Sequence, residues 1–483
     1  MDSISPWTLI SIAHYLAAVL FVERILRTRR DPGGMLAWIL ALLLLPVLGP
    51  LLYVLIGPVP IQRKVRRRRR RRRLIEPALS QTTAGVTSPY DARREPVQSE
   101  RQRDLMQLAW RLTGAAVTRG NHVDITHDAE RAFLNLSLAI QAAQAHIHME
   151  YYIFADDEAG RGVRDLLAAK AREGVEVRIL ADAVGSWRMR RPFIRSLEQA
   201  GVQVAFFLPW GLTRRRWQVN CRNHRKLTVI DGKVGFFGSK NIADEYLGRR
   251  RQRLGPWRDT HLRAVGPCVA QLQEVFLEDW HFATGAALPP DLYIPPPLIE
   301  GNHLVQMVPS GPDQRPDVLY QLLYAAVSDA RHSVMLLTPY FVPDQAMMLA
   351  LTSAACRGVR VQVLLPSRSD HWLLLWAARS VYHELMETGV EIYEYPGGML
   401  HSKEVIVDGR WAMVGSANMD VRSFAINFEL SSLLYDETLA RQLQREFAAL
   451  RREAVRVTAR HLRERTYAQT LAAGLGRLAT PML

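Results

Sequence analysis

Hydrophobic positions change character three times along the chain. Trp7 to Val22 is an uncharged run of sixteen residues that ends at Glu23 and Arg24, and Met35 to Ile56 is an uncharged run of twenty-two. About 20 apolar residues cross a bilayer as a helix, so the second run is long enough and the first is marginal. Pro46, Gly49 and Pro50 predict a kink in the second run, or its division into a re-entrant segment. A cleaved signal peptide is the alternative for the first run, but the basic start and small-residue cleavage site are missing. From Leu74 to Gln102 the chain is polar, rich in Ser, Thr and Pro, and aperiodic, which reads as a linker. Beyond it, helical patterns alternate with short apolar strands, the signature of α/β architecture with largely parallel pairing. At the end, Tyr467, Leu471, Leu475 and Leu478 recur at helical spacing, with Gly474 and Gly476 weakening the helix. That stripe is expected to gain order by burial, with packing into the core slightly ahead of insertion in a membrane interface.

The α/β region is duplicated. Gly174-Val-Glu-Val-Arg-Ile-Leu180 matches Gly358-Val-Arg-Val-Gln-Val-Leu364, and Gly201-Val-Gln-Val-Ala-Phe-Phe207 matches Gly389-Val-Glu-Ile-Tyr-Glu-Tyr395. Each begins with a glycine that ends a helix and continues as a β-branched strand. Two lobes related by a pseudo-twofold axis follow. The expected division is 1–60 membrane-embedded (segments 7–26 and 35–56), 61–105 basic arm and linker, 106–300 first half, and 301–483 second half with its C-terminal helix.

Charge changes the picture less than its total suggests. The chain carries a formal net charge of +15, but Arg63, Lys64 and Arg66 to Arg73 supply ten of those charges, leaving +5 for the remainder. The basicity is therefore an arm beside a membrane segment, suited to anionic lipid headgroups or to fixing topology, and not a nucleic-acid groove. Arg24, Arg27, Arg29 and Arg30 lie between the two apolar runs, so one span plus one re-entrant segment keeps both basic clusters on the cytoplasmic side. Cys221, Cys268 and Cys356 have neither metal-ligand nor redox spacing.

The chemistry lies in a motif present twice. His224-x-Lys226-x4-Asp231-x6-Gly238-Ser239-x-Asn241 recurs as His401-x-Lys403-x4-Asp408-x6-Gly415-Ser416-x-Asn418, offset by 177 throughout. Leu227 to Ile230 reads as a strand and Asp231-Gly232 as a two-residue hairpin, a register that sets Ser239 opposite His224 and Ser416 opposite His401. Asp231 and Asp408 complete the candidate catalytic set with His224, Lys226, His401 and Lys403, although by position they read chiefly as turn residues that fix the hairpin. Imidazole, ammonium, hydroxyl and amide together suit a phosphodiester: a neutral histidine attacks phosphorus, a protonated one supplies the leaving group's proton, and two lysines take the charge that metal ions take elsewhere. No metal or cofactor is called for. A nucleophilic histidine needs a carboxylate on its other nitrogen; Asp259 is the candidate for His224 and Glu429 for His401. His146 and His148 share a strand face without a third ligand, and read as packing residues. Trp210, Arg214, Arg215, Arg216 and Trp217 fall in a segment the second half lacks, and suit a lipid–water interface or a solvated loop.

At these residues the chain resembles the phospholipase D superfamily and, within it, the bacterial cardiolipin synthases. The resemblance extends to Glu150-Tyr-Tyr-Ile-Phe154, Trp257-Arg-Asp-Thr-His-Leu262, Ser310-Gly-Pro-Asp313, Thr338-Pro-Tyr-Phe-Val-Pro343 and Gly415-Ser-Ala-Asn-Met-Asp-Val-Arg-Ser-Phe424, with Lys240 an unusual occupant between Ser239 and Asn241. It implies condensation of two phosphatidylglycerol molecules into cardiolipin and glycerol, with His224 as nucleophile and His401 as acid. It also implies a multi-pass protein of the bacterial inner membrane, working on its cytoplasmic side. Phosphatidylethanolamine as donor, and hydrolysis with water as acceptor, stay open, as does self-association. A nuclease predicts a basic groove that the charge distribution does not provide, and a non-catalytic scaffold does not call for two intact motifs.

Overall fold

The structure is a computed structural model describing residues 6–27, 32–56, 100–209, 221–247, 254–313 and 317–480. The arginine run, most of the linker and the Trp210–Trp217 segment lie outside the described residues. The chain forms two compact units, one comprising residues 1–61 and 208–221 and the other the remainder.

In the first unit, helices Pro6–Leu26, Pro32–Leu44 and Leu48–Ile56 pack around Ala18, Ile25, Leu42 and Tyr53. The second apolar run is broken as expected. Pro46 interrupts it, and Val47 takes a left-handed φ of 65°. The thirteen- and nine-residue pieces are about 20 and 14 Å long. Among the described residues no helix is long and apolar enough to cross a membrane. Leu16, Val19, Leu20, Leu36, Leu40, Leu44 and Leu51 are nevertheless exposed, leaving this small bundle apolar on the outside as well.

The second unit carries the duplicated region. Its strands are β1 (Thr118–Thr126), β2 (His146–Tyr151), β3 (Glu176–Asp182), β4 (Gln203–Phe207), β5 (Lys226–Ile230), β6 (Val234–Gly238), β7 (Trp257–Arg258), β8 (His261–Val265), β9 (His303–Ser310), β10 (Ser333–Leu337), β11 (Arg360–Pro366), β12 (Glu391–Tyr395), β13 (Met399–Leu400), β14 (Glu404–Val407), β15 (Trp411–Gly415), β16 (Glu429–Leu434) and β17 (Val455–Arg456). Fifteen of them form one sheet in the order β17-β12-β11-β10-β14-β15-β16-β9-β1-β8-β6-β5-β2-β3-β4. From the antiparallel β9–β1 seam outward the two sides match strand for strand, β9-β16-β15-β14-β10-β11-β12 against β1-β8-β6-β5-β2-β3-β4, with β17 the one strand without a counterpart; this is the pseudo-twofold expected from the repeats.

Pairing is less parallel than the alternation of elements implied. Only β2-β3-β4 and β10-β11-β12 run parallel within the large sheet. They are joined by helices that end at Gly174, Gly201, Gly358 and Gly389, all at positive φ. The remaining pairings are antiparallel because hairpins carry the motifs and return the chain directly, with no crossover. Each half has its own core, one around Leu136, Ile147, Val177 and Phe236 and the other around Leu322, Leu336, Val363 and Met413. Helix Glu100–Thr113 belongs with the second. Its Leu105, Met106 and Ala109 enter that core, although the sequence places the helix between the linker and the first half.

The C-terminal stripe is not core. Helix Tyr467–Ala479 packs through Ala473 and Gly476 on helix Trp372–Ser380, while Tyr467, Leu471, Leu475 and Leu478 are exposed. Gly476 explains the choice of face: a Cβ there comes within 2.5 Å of the Ala377 backbone, so the small residues make the close approach and the leucines face outward.

Candidate active site

Each motif hairpin turns through an Asp-Gly pair with both residues left-handed: Asp231 at φ 52° and Gly232 at 64°, Asp408 at 54° and Gly409 at 62°. Lys233 N–H donates to Ile230 C=O at 3.0 Å and Arg410 N–H to Val407 C=O at 3.1 Å. Strand pairing resumes one residue later than a two-residue loop requires, at Ile230↔Val234 and Val407↔Trp411. The extra residue is left over because Asp231 N–H bonds to His146 C=O, and Asp408 N–H to Ser333 C=O, tying the turn to the neighbouring strand. Ser239 therefore does not lie opposite His224, nor Ser416 opposite His401.

The turn carboxylates are also committed. Asp231 accepts from the backbone N–H groups of Gln144, Ala145 and His146 at 2.9, 2.7 and 2.9 Å. Asp408 does the same for Arg331, His332 and Ser333 at 3.1, 2.7 and 2.9 Å. Each sits five residues along the strand from its lysine, about 16 Å away, at the edge remote from the imidazoles.

The histidines occupy loops stitched to the opposite half. His224 N–H donates to Phe428 C=O at 2.8 Å, and Phe428 N–H to Arg222 C=O at 2.9 Å. On the other side β13 pairs with β7, and His401 N–H donates to Arg258 C=O at 2.7 Å. This stitching delivers each histidine to the carboxylate of the other half, which reverses the pairing expected from chain proximity. His224 Nδ1 lies 3.1 Å from Glu429 Oε2 and 3.1 Å from Ser416 C=O. His401 Nδ1 lies 2.6 Å from Asp259 Oδ1. All these partners are acceptors, so Nδ1 carries the proton and Nε2 keeps its lone pair.

The serines complete the same crossed sets. Ser416 Oγ donates to Glu429 Oε2, and Ser239 Oγ to Asp259 Oδ1 at 2.7 Å. Each hydroxyl is held in turn by a backbone N–H, from Leu430 at 2.9 Å and Thr260 at 3.0 Å. Lys226 and Lys403 are buried, each ammonium on the carbonyl of its own motif histidine, His224 and His401 respectively. The asparagines part company. Asn241 is spent tying loops together, accepting from Ile153 N–H at 3.1 Å and donating to Tyr246 OH at 2.6 Å. The buried Asn418 Oδ1 has no partner among the described residues.

Burial governs the protonation states. It pushes His224 down to about 4, against the pull of Glu429, and lowers His401 as well, with Lys403 beside it adding to the effect. It also pushes both lysines down to about 7. The carboxylates go the other way. Burial raises them, but His401 and Lys403 hold Asp259 well below the usual range, and His224 and Lys226 lower Glu429.

Several groups around the site had no catalytic role assigned from the sequence, although Glu150, Tyr152 and Trp257 stand in the strings that carry the resemblance. Tyr152 meets His224 edge-on at 4.9 Å, and Trp257 and Tyr246 lie 5.0 and 5.6 Å from His401. Arg225, fully buried, pairs with Asp279 and reaches Glu429 C=O at 3.1 Å and Ser310 C=O at 3.0 Å. Glu150 accepts from Asn223 Nδ2 at 2.6 Å; burial, reinforced by Asp279, raises its carboxyl well above the usual range. Lys240 sends its ammonium to Ala129 C=O at 2.7 Å, over the Phe133 ring. His146 and His148 are hydrogen-bonded to Gln273 at 3.2 and 2.8 Å, and His148 also faces Arg178 at 3.1 Å, in keeping with a packing role.

The family described as "Cardiolipin synthase, PLD-like domain" matches residues 136–280 and 323–451, and the one described as "Phospholipase_D-nuclease N-terminal" matches 16–58. A cardiolipin synthase of Geobacillus kaustophilus is 40% identical over 471 residues, covering 97% of this chain and 92% of that protein. Cardiolipin synthase 2 of Bacillus cereus is 37% identical over 474 residues, covering 98% and 90%. The crystal structure of phosphatidylserine synthase from Haemophilus influenzae superposes with a TM-score of 0.58 at 16% identity, over 75% of this chain and 95% of that one, a likeness of fold.

Proposed function

The chain belongs to the cardiolipin synthases of the phospholipase D superfamily, enzymes of phospholipid biosynthesis, and on that premise we propose how its two halves divide one reaction. The substrate is phosphatidylglycerol. The observation that carries the proposal is the crossed pairing, which gives two imidazoles with Nδ1 held by a carboxylate and Nε2 free, on one to attack and on the other to carry a proton to and from the departing or entering oxygen.

His224, neutral at physiological pH, attacks the phosphorus of a first phosphatidylglycerol through Nε2. The Nε2–P bond forms as the P–O bond to the headgroup glycerol breaks, and His401, which takes up a second proton at Nε2 when the anionic substrate binds and enters this step as the imidazolium, gives that proton to the oxygen and becomes neutral. Glycerol leaves, and the phosphatidyl group remains on His224. The glycerol hydroxyl of a second phosphatidylglycerol then attacks phosphorus, His401 takes its proton, and the N–P bond breaks to release cardiolipin. Lys226 and Lys403 neutralise the non-bridging oxygens while charge builds in each transfer. They supply what a divalent cation supplies elsewhere, so turnover persists under strong chelation. Asp231 and Asp408 hold the hairpins and take no part in bond-making.

The N-terminal helices are membrane-embedded in this reading, one as a span and the broken pair as a re-entrant segment, with the catalytic unit on the cytoplasmic side of the inner membrane. Their outward leucines support it. The test is product analysis by mass. Purified protein given phosphatidylglycerol with a labelled headgroup releases one labelled glycerol per cardiolipin formed. Phosphatidic acid as the sole product makes the enzyme a hydrolase and overturns the proposal; labelled phosphatidylethanolamine, added separately, reports whether it serves as donor.

A further inference from the structure

Both halves expose a tryptophan at the same place relative to the catalytic groups. Trp187 lies five residues beyond the end of β3 and is 73% exposed; Trp372 lies six beyond the end of β11 and is 60% exposed. Tryptophan is a heavily buried residue on average, so two exposed indoles at equivalent points of a duplicated fold call for a common cause.

Topology puts both at the histidine edge of the sheet. Ala181 near the end of β3 sits beside Tyr151, which pairs with Lys226, and Asp182 accepts from Asn223 N–H at 2.9 Å, one residue from His224. Leu364 in β11 sits beside Leu337, which pairs with Glu404, one residue from Lys403. The loop leading to Trp372 is held there by Tyr340 OH, which donates to Asp370 at 2.8 Å. The charges alongside are mostly of one sign. Arg188, Arg190 and Arg191 are exposed around Trp187, with Glu245 paired to Arg188 at 3.2 Å. Arg368 and His371 are exposed ahead of Trp372, with the exposed Asp370 between them. Trp372 also begins the helix on which the C-terminal helix packs, and that second helix turns Leu471, Leu475 and Leu478 outward.

Indole rings beside guanidinium groups suit the headgroup layer of a bilayer, where the ring meets the acyl boundary and the cation meets lipid phosphate. We propose that this edge is a docking surface for an anionic phospholipid bilayer, with Trp187 of one half and Trp372 of the other seated in the headgroup region at the histidine edge of the sheet. A donor lipid then reaches His224 by moving its headgroup out of the leaflet, with its acyl chains still in it. The proposal rests on the lipid-transfer reading above and adds the surface and residues through which the membrane is met.

The experiment uses the full chain with exposed Cys356 replaced by Ser and a spin label on a single cysteine placed by Trp187→Cys, Trp372→Cys or Lys233→Cys. Lys233 is an exposed residue of a hairpin turn at the opposite edge of the sheet. In phosphatidylglycerol vesicles, labels at 187 and 372 become shielded from a water-soluble paramagnetic chelate and accessible to oxygen, while the label at 233 stays chelate-accessible. Equal chelate access at all three positions overturns the proposal. The doubly substituted Trp187→Ser/Trp372→Ser chain raises KM for vesicle phosphatidylglycerol about tenfold and leaves kcat on a short-chain, water-soluble analogue unchanged. Loss of kcat on the soluble analogue marks the tryptophans as structural, and also overturns it. A wild-type chain that makes no cardiolipin from either substrate counts against the lipid-transfer reading, whereas spin-label access reports docking independently of turnover.

Discussion

Glu429 belongs to the second half of the chain and holds the imidazole of His224 in the first, with Nδ1 to Oε2 at 3.1 Å, while Asp259 of the first half holds His401 of the second. Neither half supplies both a motif histidine and the carboxylate that holds it. A half expressed alone lacks the carboxylate its own histidine needs, which gives the duplication a physical reason to stay in one chain.

The crossed pairing predicts which step each carboxylate serves. Glu429→Gln should slow formation of the phosphatidyl-enzyme by roughly 10³-fold or more, the scale seen when an orienting carboxylate is lost from a catalytic histidine. Asp259→Asn should spare that step when the leaving group is a good one, such as a nitrophenol, and slow it with glycerol. Rapid-quench measurement of the adduct separates the two; the opposite assignment would mean that each carboxylate serves the histidine of its own half.

The histidines should divide in the same way. His401→Ala should still accumulate a phosphatidyl adduct from an activated substrate, trapped on His224 and located by peptide mass. His224→Ala should form none. An adduct found on His401 reverses the roles.

Proton uptake should accompany binding at alkaline pH. Burial holds both lysines at about 7, below the ordinary 10.5, so at pH 8 each is mostly neutral in the free enzyme. An anionic phosphodiester restores the charged form, and binding a non-reactive analogue at pH 8 therefore takes up protons. The uptake shrinks below pH 6, where both lysines are already charged. Calorimetry in buffers of different ionisation enthalpy reads this directly. The same shifts make stability rise with pH between about 7 and 10.5, because there the unfolded lysines bind protons that the folded ones have released.

The turn aspartates should affect stability and leave chemistry intact. Asp231→Ala removes three backbone hydrogen bonds and puts alanine at φ 52°, at a combined cost of about 2–4 kcal/mol in thermal or denaturant unfolding. Asp231→Asn keeps an acceptor and tolerates the left-handed conformation, so it should cost less than half as much. kcat per folded molecule should stay within about twofold of the wild type for both. A large fall in kcat for the Asn variant would return Asp231 to the catalytic set.

The outward face of the C-terminal helix should matter on membranes only. Leu471→Ser/Leu475→Ser/Leu478→Ser alters exposed residues and leaves unfolding in detergent unchanged, while activity on vesicles falls. Equal destabilisation in detergent and in lipid would mark the stripe as packed against other protein.

The repeats, the motif and the break in the second apolar run were legible in the sequence because each is local: a glycine after a helix, a fixed spacing of His, Lys and Asp, a proline inside an apolar stretch. The α/β class followed from the same local periodicities. What the linear chain could not show was partnership across the pseudo-twofold. Asp259 is nearer to His224 in sequence and Glu429 nearer to His401, yet backbone pairing of His224 with Phe428, and of β13 with β7, carries each histidine to the farther carboxylate. The hairpin register slipped by one for a similar reason, since Asp231 N–H and its carboxylate bind the neighbouring segment and hold a residue out of the ladder. The C-terminal stripe turned outward because Gly476 and Ala473 allow an approach that leucines do not. Sequence determined which chemical groups are present and what each segment favours; which groups meet was decided by long-range hydrogen bonds and close packing, whose partners lie far apart along the chain.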